Sequence, residues 1–521
     1  MYQEAAMSYH RVLLVLTSPL HQAASKFPTY LRDIQSKTPQ VLYVHLLPNL
    51  TSWPPIADQK GARLGPWSNT VTSIYQQGGQ HCSNLDLRVL LHETSLDNIP
   101  KPIHEVLFEN GTCTEMQKAY LHACQSQGAT SLKKVESDVS AYSGIESEET
   151  VQSYENVCLG GTFDRIHNGH KILLSEGALR SENKLTVGVT DESMLQSKKV
   201  ADLIESSEDR IKTVESFLRE IRGKECENFV TAISDPFGPA IIDATLECIV
   251  GSDETKRGCE KINSIRIEKG LKPLDIHLIR LVDDACHEVK QLEETKISSS
   301  NQRIRLLGEE LLPPFKEKSL PYIIGLTGGS ASGKSSIARY LEDIGAGIID
   351  CDKLGHQAYE PGTACYAKIL ATFGQELKSE NGKIDRRKLG SKVFSSADAL
   401  HQLESIVWPE ILQMAQDQTR TLFNEGKSVI IWDAAVLLQA NWNEHVHEVW
   451  GAFIDKAEAI KRIVERDGKT EEQAKARLDS QMSNQELISK CNTVFYSLWE
   501  YEHTRRQVDK AWKRLQSRLS K

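Results

Sequence analysis

The chain is 521 residues long, 40% hydrophobic and 26% charged, with 62 Lys and Arg against 71 Asp and Glu for a net charge of -9. That makeup is neither disordered nor fibrous, and the length exceeds one ordinary domain of roughly 100 to 200 residues, pointing to three or four. The acidic balance argues against a broad nucleic-acid footprint, so any phosphate must be gripped by local loops rather than by a basic surface.

The first block, residues 1–135, alternates short apolar runs at 11–16, 41–47, 85–91 and 105–108 with amphipathic stretches, the pattern of βα units building a parallel sheet. Its start holds Glu4 and only the short apolar stretch Ala5, Ala6 and Met7, so it reads neither as a secretory signal nor as an Arg-rich transit helix. Nothing in the block ties it to a reaction. Strand, turn and helix at 11–24 do echo the layout at 156–173, with Thr17, Ser18, Pro19 and Leu20 where the later segment has glycines and a histidine pair. A degenerate copy of the later fold would repeat its sheet order; an unrelated α/β module would not. Residues 136–150 are rich in Ser and Glu and poor in large apolar residues, which suits a solvated linker.

The second block, 151–312, has expected strands at 156–159, 185–189, 229–233, 248–251 and 275–279. Directly after the first of these comes Gly160, Gly161, Thr162, Phe163, Asp164, Arg165, Ile166, His167, Asn168, Gly169 and His170, leading into an amphipathic stretch. The segment therefore lies at the carboxyl edge of a sheet and the start of a helix, where open α/β folds bind ligands. Glycines let the backbone approach a phosphate, and a helix start offers unpaired N–H groups and partial positive charge. His167 and His170, three apart, can face one ligand. Farther on, Lys296, Ile297, Ser298, Ser299, Ser300, Asn301, Gln302 and Arg303 form a run of hydroxyls and amides closed by a cation. The serines would N-cap a helix, and a helix start so capped can also hold triphosphate oxygens.

Pro313, Pro314 and Pro321 surround a charged stretch and mark residues 313–319 as a second linker. In the third block, 320–521, strands are expected at 322–326, 347–350, 428–432 and 448–454. Gly328, Gly329, Ser330, Ala331, Ser332, Gly333, Lys334 and Ser335, with Ser336 beyond, fit G-x-x-x-x-G-K-[ST] between a strand and a helix. The spacing follows from the chemistry: loop amides wrap phosphates, Lys334 reaches the β- and γ-oxygens, and the Ser335 hydroxyl meets Mg²⁺. Asp350 and Asp352 end a second strand at the same sheet edge, where one carboxylate could accept a substrate proton. Asp433 ends the strand at 428–432, the position of a carboxylate that helps hold magnesium. Arg462, Arg466 and Arg477 lie on a charged helical stretch. Such charge is usually a solvated face, yet a kinase also needs mobile arginines to close over phosphate.

The paired segments around His167, His170 and Ser298 resemble the nucleotidyltransferase superfamily with a His-x-Gly-His motif, and the Gly-Gly-Thr-Phe-Asp opening is closest to phosphopantetheine adenylyltransferase. The resemblance spans most of the second block, through Val187 to Asp191, Lys198 and Lys199, Asp235 to Pro239 and Val250 to Thr255. It implies attack of the 4'-phosphate of phosphopantetheine on the α-phosphorus of ATP. His170 with His167 would stabilise the developing charge, with Gly160, Gly161, Thr162 and Phe163 also against ATP. Lys198 or Lys199 would hold the acceptor phosphate, and Ser298, Ser299, Ser300 and Arg303 the β- and γ-phosphates. The third block is similar to dephospho-coenzyme A kinase over nearly its whole length, including Asp350 to Asp352 with His356, Ile384 to Arg386, Trp408 to Ile411, and Asp433 to Leu438. That implies phosphorylation of the ribose 3'-hydroxyl of dephospho-coenzyme A, with Asp352 as base, Arg386 near the substrate, Arg466 and Arg477 on a lid, and Ser335 and Asp433 at Mg²⁺. Trp408 stands where many bacterial relatives have His, and an Asn-rich tail is replaced at 495–502, which leaves the adenine-side contacts open.

The order of the blocks resembles the bifunctional coenzyme A synthases of animals, in which the first product is the second substrate. Multidomain α/β is the expected class: a Rossmann-like nucleotidyltransferase domain and a P-loop kinase domain, both three-layer with parallel sheets, plus the N-terminal α/β domain. Expected partners are ATP, 4'-phosphopantetheine and dephospho-coenzyme A, with no nucleic acid, and a protein or membrane surface is left open for residues 1–135. Two other readings are a nicotinamide mononucleotide adenylyltransferase fused to a ribosylnicotinamide kinase, and an inactive adaptor that kept the folds. Eleven cysteines without a Cys-x-x-Cys pair suit a reducing compartment, and the longest apolar runs fall far short of the roughly 20 residues of a membrane span. A cytoplasmic location is expected, with attachment to mitochondria open.

Overall fold

The computed structural model describes residues 10–48, 64–82, 85–91, 96, 98–109, 112, 114–125, 129–131, 152–222, 226–280, 282–284, 292–393 and 396–520. The expected linker at 136–150 lies outside them. The chain divides into two compact units, Met1–Gln302 and Arg303–Lys521.

The first unit holds two sheets. Strands β1 (Arg11–Leu16), β2 (Val41–Leu46), β3 (Asp86–Leu90), β4 (Glu105–Phe108) and β5 (Ala129–Ser131) are ordered β3-β2-β1-β4-β5. Strands β6 (Tyr154–Gly161), β7 (Ser181–Thr190), β8 (Glu227–Ile233), β9 (Cys248–Ser252) and β10 (Asp275–Ile279) are ordered β10-β9-β6-β7-β8. Every pairing in both is parallel. Counted from its own first strand, each sheet reads third, second, first, fourth, fifth, so the sheet order expected of a degenerate copy is present. Both are doubly wound, with the reversal of winding beside the first strand, at β1/β4 and β6/β9.

β1 and β2 read as apolar runs, apart from Arg11 and the buried His45, because helices cover both faces of the sheet and nearly every side chain is buried. Helix Leu64–His81 carries Val71, Ile74 and Tyr75 into a core that continues, without a break, through Ile172, Leu174, Val214 and Phe217 of the second sheet's helices. The first block is therefore not a separate module: it shares a core with the second.

The second unit is built on β11 (Tyr322–Gly328), β12 (Gly347–Asp350), β13 (Val429–Asp433), β14 (Glu448–Phe453) and β15 (Thr493–Tyr496), all parallel, in the order β12-β13-β11-β14-β15. The carboxyl ends of β11, β12 and β13 lie side by side, which gathers the P-loop, Asp350 and Asp433 at one edge. Two boundaries move. The amides of Gly308 and Leu311 donate to Val494 (3.0 Å) and Asn492 (2.7 Å), so residues 303–312 belong to the second unit. Residues 313–319, expected as a free linker, are a strap on that unit: Asn492 Nδ2 donates to the Pro313 carbonyl (2.6 Å) and the Phe315 amide to His447 (2.8 Å). β5 and β15 are strands the apolar pattern did not reveal. Among the described residues no helix is long and apolar enough to cross a membrane.

Candidate active sites

At the carboxyl end of β6 the chain turns through Thr162, Phe163 and Asp164 into helix Asn168–Arg180. Phe163 and Arg165 adopt left-handed backbone, φ 51° and 49°, which folds the turn tightly over the sheet edge. His167 caps the helix: its Nδ1 accepts from the His170 amide at 3.4 Å, which leaves the His167 proton on Nε2. The two rings stack, centroids 3.9 Å apart and planes 18° from parallel, and Phe163 lies 5.2 Å from the His170 ring. Gly169 leaves the His167 ring room in the stack: a Cβ there would sit 3.2 Å from its Cε1 and Nδ1, a tight contact that would displace the ring by a few tenths of an ångström.

Burial lowers the pKa of both imidazoles, His170 to about 4, and for His167 the charges of His170, Lys171 and Lys296 add to the effect. Both rings are therefore neutral near pH 7, presenting N–H donors to an anion rather than fixed charges. Lys296 acts on His167, so the second segment is near the first. Ser298 Oγ accepts from the Asn301 amide (3.2 Å) and caps helix Ser299–Leu306. Lys296 itself pairs with Glu254 and, at 3.3 Å, with Glu294. Gly160 and Gly161 end β6. Lys198 and Lys199 are exposed, and Lys199 Nζ donates to the Leu292 carbonyl (3.2 Å), tying its turn to the approach of the serine run. Arg303 is 1% exposed and falls in the second compact unit, so it is a buried residue rather than an open cation.

Arg210 is fully buried and donates to the carbonyls of Thr162 and Thr190 at 2.7 Å and of Glu205 at 2.8 Å, clamping the ends of β6 and β7. The sequence gives no hint of this, since Arg210 sits in a charged helix that reads as solvated. The corresponding edge of the first sheet is closed by the chain itself. Glu109, just past β4 and 5% exposed, accepts from the amides of Thr17 (2.9 Å) and Ser18 (2.8 Å), from Lys26 Nζ (2.9 Å) and from Tyr30 OH (3.2 Å). Burial would lift its pKa, but Lys26 and the Ser18 amide outweigh burial and hold it below the usual carboxylate range. A carboxylate occupies the seat where loop amides and a cation would otherwise hold a phosphate.

In the second unit the loop Gly329 to Gly333 joins β11 to helix Lys334–Asp343, with Gly333 at φ 83° and Ala331 at φ 64°. Lys334 Nζ pairs with Asp433 and, at 3.3 Å, with Asp352. Burial works against its charge, yet the two carboxylates prevail and raise its pKa, so it is an ammonium. Asp433 is pushed up by burial, with Asp352 and Asp350 adding and Lys334 opposing. Asp352 is half exposed and accepts from the Ala435 amide at 3.4 Å. Ser335 is exposed at the helix start. Gln481 grips the loop, accepting from the Ser330 amide (2.9 Å) and donating to Ser330 Oγ (2.8 Å). Arg462 donates to the carbonyls of Ala331 (3.3 Å) and Ser497 (2.8 Å). Arg466 and Arg477 both turn to Asp467, at 2.7 Å and 3.0 Å, and stay exposed. Arg386, also exposed, lies 5.9 Å over the Tyr359 ring.

Residues 322–497 match the family model for dephospho-CoA kinase. The dephospho-CoA kinase of Geobacter sulfurreducens is 37% identical over 190 residues, 36% of this chain and 96% of that one. The chain belongs to the dephospho-CoA kinase family. A dephospho-CoA kinase domain-containing protein of Danio rerio is 35% identical over 188 residues, 36% of this chain and 82% of that one. A solved dephospho-CoA kinase from Campylobacter jejuni aligns at 27% identity over 37% of this chain and 96% of its own, with a TM-score of 0.28. Residues 158–305 match the cytidylyltransferase-like family model, so one chain carries a dephospho-CoA kinase domain and a cytidylyltransferase-like domain. Within the kinase domain the lysine, the three aspartates and the loop converge at one sheet edge, whereas Arg386, Arg466 and Arg477 engage other partners in this state.

Proposed function

We propose that the chain carries out two consecutive reactions: adenylyl transfer from ATP to 4'-phosphopantetheine, releasing pyrophosphate, then ATP-dependent phosphorylation of the 3'-hydroxyl of the dephospho-coenzyme A so formed. The observation that carries this reading is the union, in one chain, of a dephospho-CoA kinase domain with a stacked His-x-Gly-His edge. The kinase consumes the compound that such a transferase would make, and this match favours coenzyme A chemistry over nicotinamide chemistry.

In the first reaction a phosphate oxygen of phosphopantetheine bonds to the α-phosphorus of ATP as the bond to pyrophosphate breaks. No covalent intermediate is needed. His170 and the Nε2–H of His167 donate to the phosphoryl oxygens where charge grows, and because the rings start neutral and partly desolvated, an arriving triphosphate favours their protonation. Gly160 to Phe163 and the capped serines would hold the nucleotide, and Lys198 or Lys199 the acceptor phosphate.

In the second, Asp352 takes the proton of the 3'-hydroxyl, the oxygen attacks the γ-phosphorus, and ADP leaves. Lys334 exchanges its carboxylates for the β- and γ-oxygens. Lys334 faces two carboxylates, Asp433 and Asp352, while Asp350 pairs with Lys353, and the excess of negative charge left on Lys334's partners suits Mg²⁺, an ion that takes one or two carboxylates and completes its shell with phosphates and water. Asp433 and Ser335 would hold it, and bound there it neutralises phosphate charge. Arg386 would face the substrate, and Arg466 and Arg477 would leave Asp467 as the lid closes.

The test is mass analysis of products from the purified chain. With 4'-phosphopantetheine and magnesium-ATP, pyrophosphate, ADP and coenzyme A are expected. Activity on added dephospho-coenzyme A alone would retain the kinase and reject the transferase assignment.

A further inference from the structure

The helix that bears His170 is anchored from outside its own block. Asn168 Nδ2 donates to the Tyr75 carbonyl at 2.9 Å, and Lys171 Nζ reaches Asp86 Oδ1 at 2.5 Å and the Leu87 carbonyl at 2.9 Å. The two anchors flank the catalytic histidine in sequence. Both end on the first block: Tyr75 on helix Leu64–His81, Asp86 and Leu87 on β3. The ion network continues. Arg88 grips Asp86 through Nε (3.0 Å) and Nη2 (2.7 Å) and pairs with Glu220 of the second sheet's helix Ser207–Arg222, to which Tyr43 OH also donates (2.9 Å). Each block contributes one acid and one base, and two of the ion pairs, Lys171–Asp86 and Arg88–Glu220, cross between the blocks. Lys171 and Glu220 have side chains only 6% and 5% exposed. Each takes its ion-pair partner from the first block, and removing that partner by substitution would leave a buried charge uncompensated, a strongly destabilising condition. Gly79 completes the seat: its missing Cβ leaves room for Asn168 Nδ2 (3.3 Å) and Ile297 Cδ1 (3.6 Å), one from each segment of the transferase edge.

We propose that the first block is a built-in positioning element for adenylyl transfer. Its Asp86 and the Tyr75 carbonyl fix helix Asn168–Arg180 so that the His167–His170 stack points at the phosphates. The block keeps the sheet order of the transferase, but Glu109 fills its own anion seat, so its contribution is made through the neighbouring edge. This rests on the adenylyl-transfer reading above, and Asp86 and Asn168 are positioning rather than catalytic residues.

The experiment uses the full chain with Asp86→Asn, Asp86→Glu and Asn168→Ala, measuring kcat and KM for pyrophosphate release and, as internal control, phosphorylation of added dephospho-coenzyme A. For Asp86→Asn and Asn168→Ala, kcat should fall about 10- to 100-fold, the scale of loss when a reacting group is misplaced by roughly 1 Å. KM for ATP should hardly move, the kinase rate should hold, and Asp86→Glu should restore most of the loss. Unchanged kcat, a loss confined to KM, or Asp86→Glu as damaging as Asp86→Asn would overturn the proposal. If Asp86→Asn also depresses the kinase, Asn168→Ala, which strands no charge, decides. A readout that needs no substrate is the ring-current shift of the His167 and His170 ring signals in NMR, assigned with His167→Gln. The shift should collapse in Asn168→Ala; its persistence there also overturns the proposal. If wild type releases no pyrophosphate with phosphopantetheine, the substrate reading fails instead, and the ring signals alone judge the positioning.

Discussion

Two sheets in the first unit share a strand order and differ in what stands at their carboxyl edges. At the end of β6 the turn is lined with glycines and two neutral, stacked imidazoles, and a foreign anion can approach. At the end of β1 the turn is Thr17, Ser18 and Pro19, and its amides already hold Glu109 with Lys26 and Tyr30 in attendance. One edge presents glycines and imidazoles, and the other satisfies its amides with a carboxylate from its own chain. The same strand order thus carries different side chains at its two edges, an internal brace at one and the proposed phosphate site at the other.

The contrast can be tested by substitution. His170→Ala should lower pyrophosphate release by about 10²- to 10³-fold or more, the cost of removing a donor aimed at developing charge, while added dephospho-coenzyme A is still phosphorylated. Lys334→Met should give the mirror image, with dephospho-coenzyme A accumulating; loss of both activities from either variant would contradict separable sites. At the closed edge, Glu109→Gln leaves Lys26 without its charged partner and should cost about 1.5 to 3 kcal/mol of stability in urea unfolding, partly recovered by inorganic phosphate. No change in stability would mean that Glu109 is not the brace described. Gly169→Ala should push the His167 ring aside, costing about 1 to 2 kcal/mol in overpacking and a correspondingly reduced transfer rate, with the kinase unaffected. The smallest effect is on pH. His167 and His170 have folded pKa values below the unfolded value near 6.5, so below that value the unfolded chain binds protons that the folded one does not. Stability of the first unit should therefore fall as pH drops from about 6.5 toward about 4, and His170→Gln should flatten that slope.

Much of the fold was legible because parallel strands buried on both faces read as apolar runs. β1, β4, β10 and β12 fall where the sequence sets them, at Arg11–Leu16, Glu105–Phe108, Asp275–Ile279 and Gly347–Asp350. β5, written Ala-Thr-Ser, is too short and too polar to stand out, and β15 was masked by the departure from family pattern around Phe495. The P-loop and the histidine pair lie at strand-to-helix turns and Asp433 at the end of β13, the positions their motifs imply. Residues that act across long sequence distances were hidden. Lys171 and Asp86 are 85 positions apart, Gln481 and Ser330 151, and no local pattern connects them. Gly169 was visible as a motif letter, but the space it leaves for the His167 ring is apparent only in three dimensions.

The continuous core shared by the first two sheets has a thermal consequence. Helix Leu64–His81 contributes side chains to both, so neither sheet can come apart without exposing the interior of the other. A calorimetric scan of the chain should resolve two cooperative melting steps, not three. Cleaving within 132–150, between the two sheets of the first unit, should leave the severed pieces associated and still melting together.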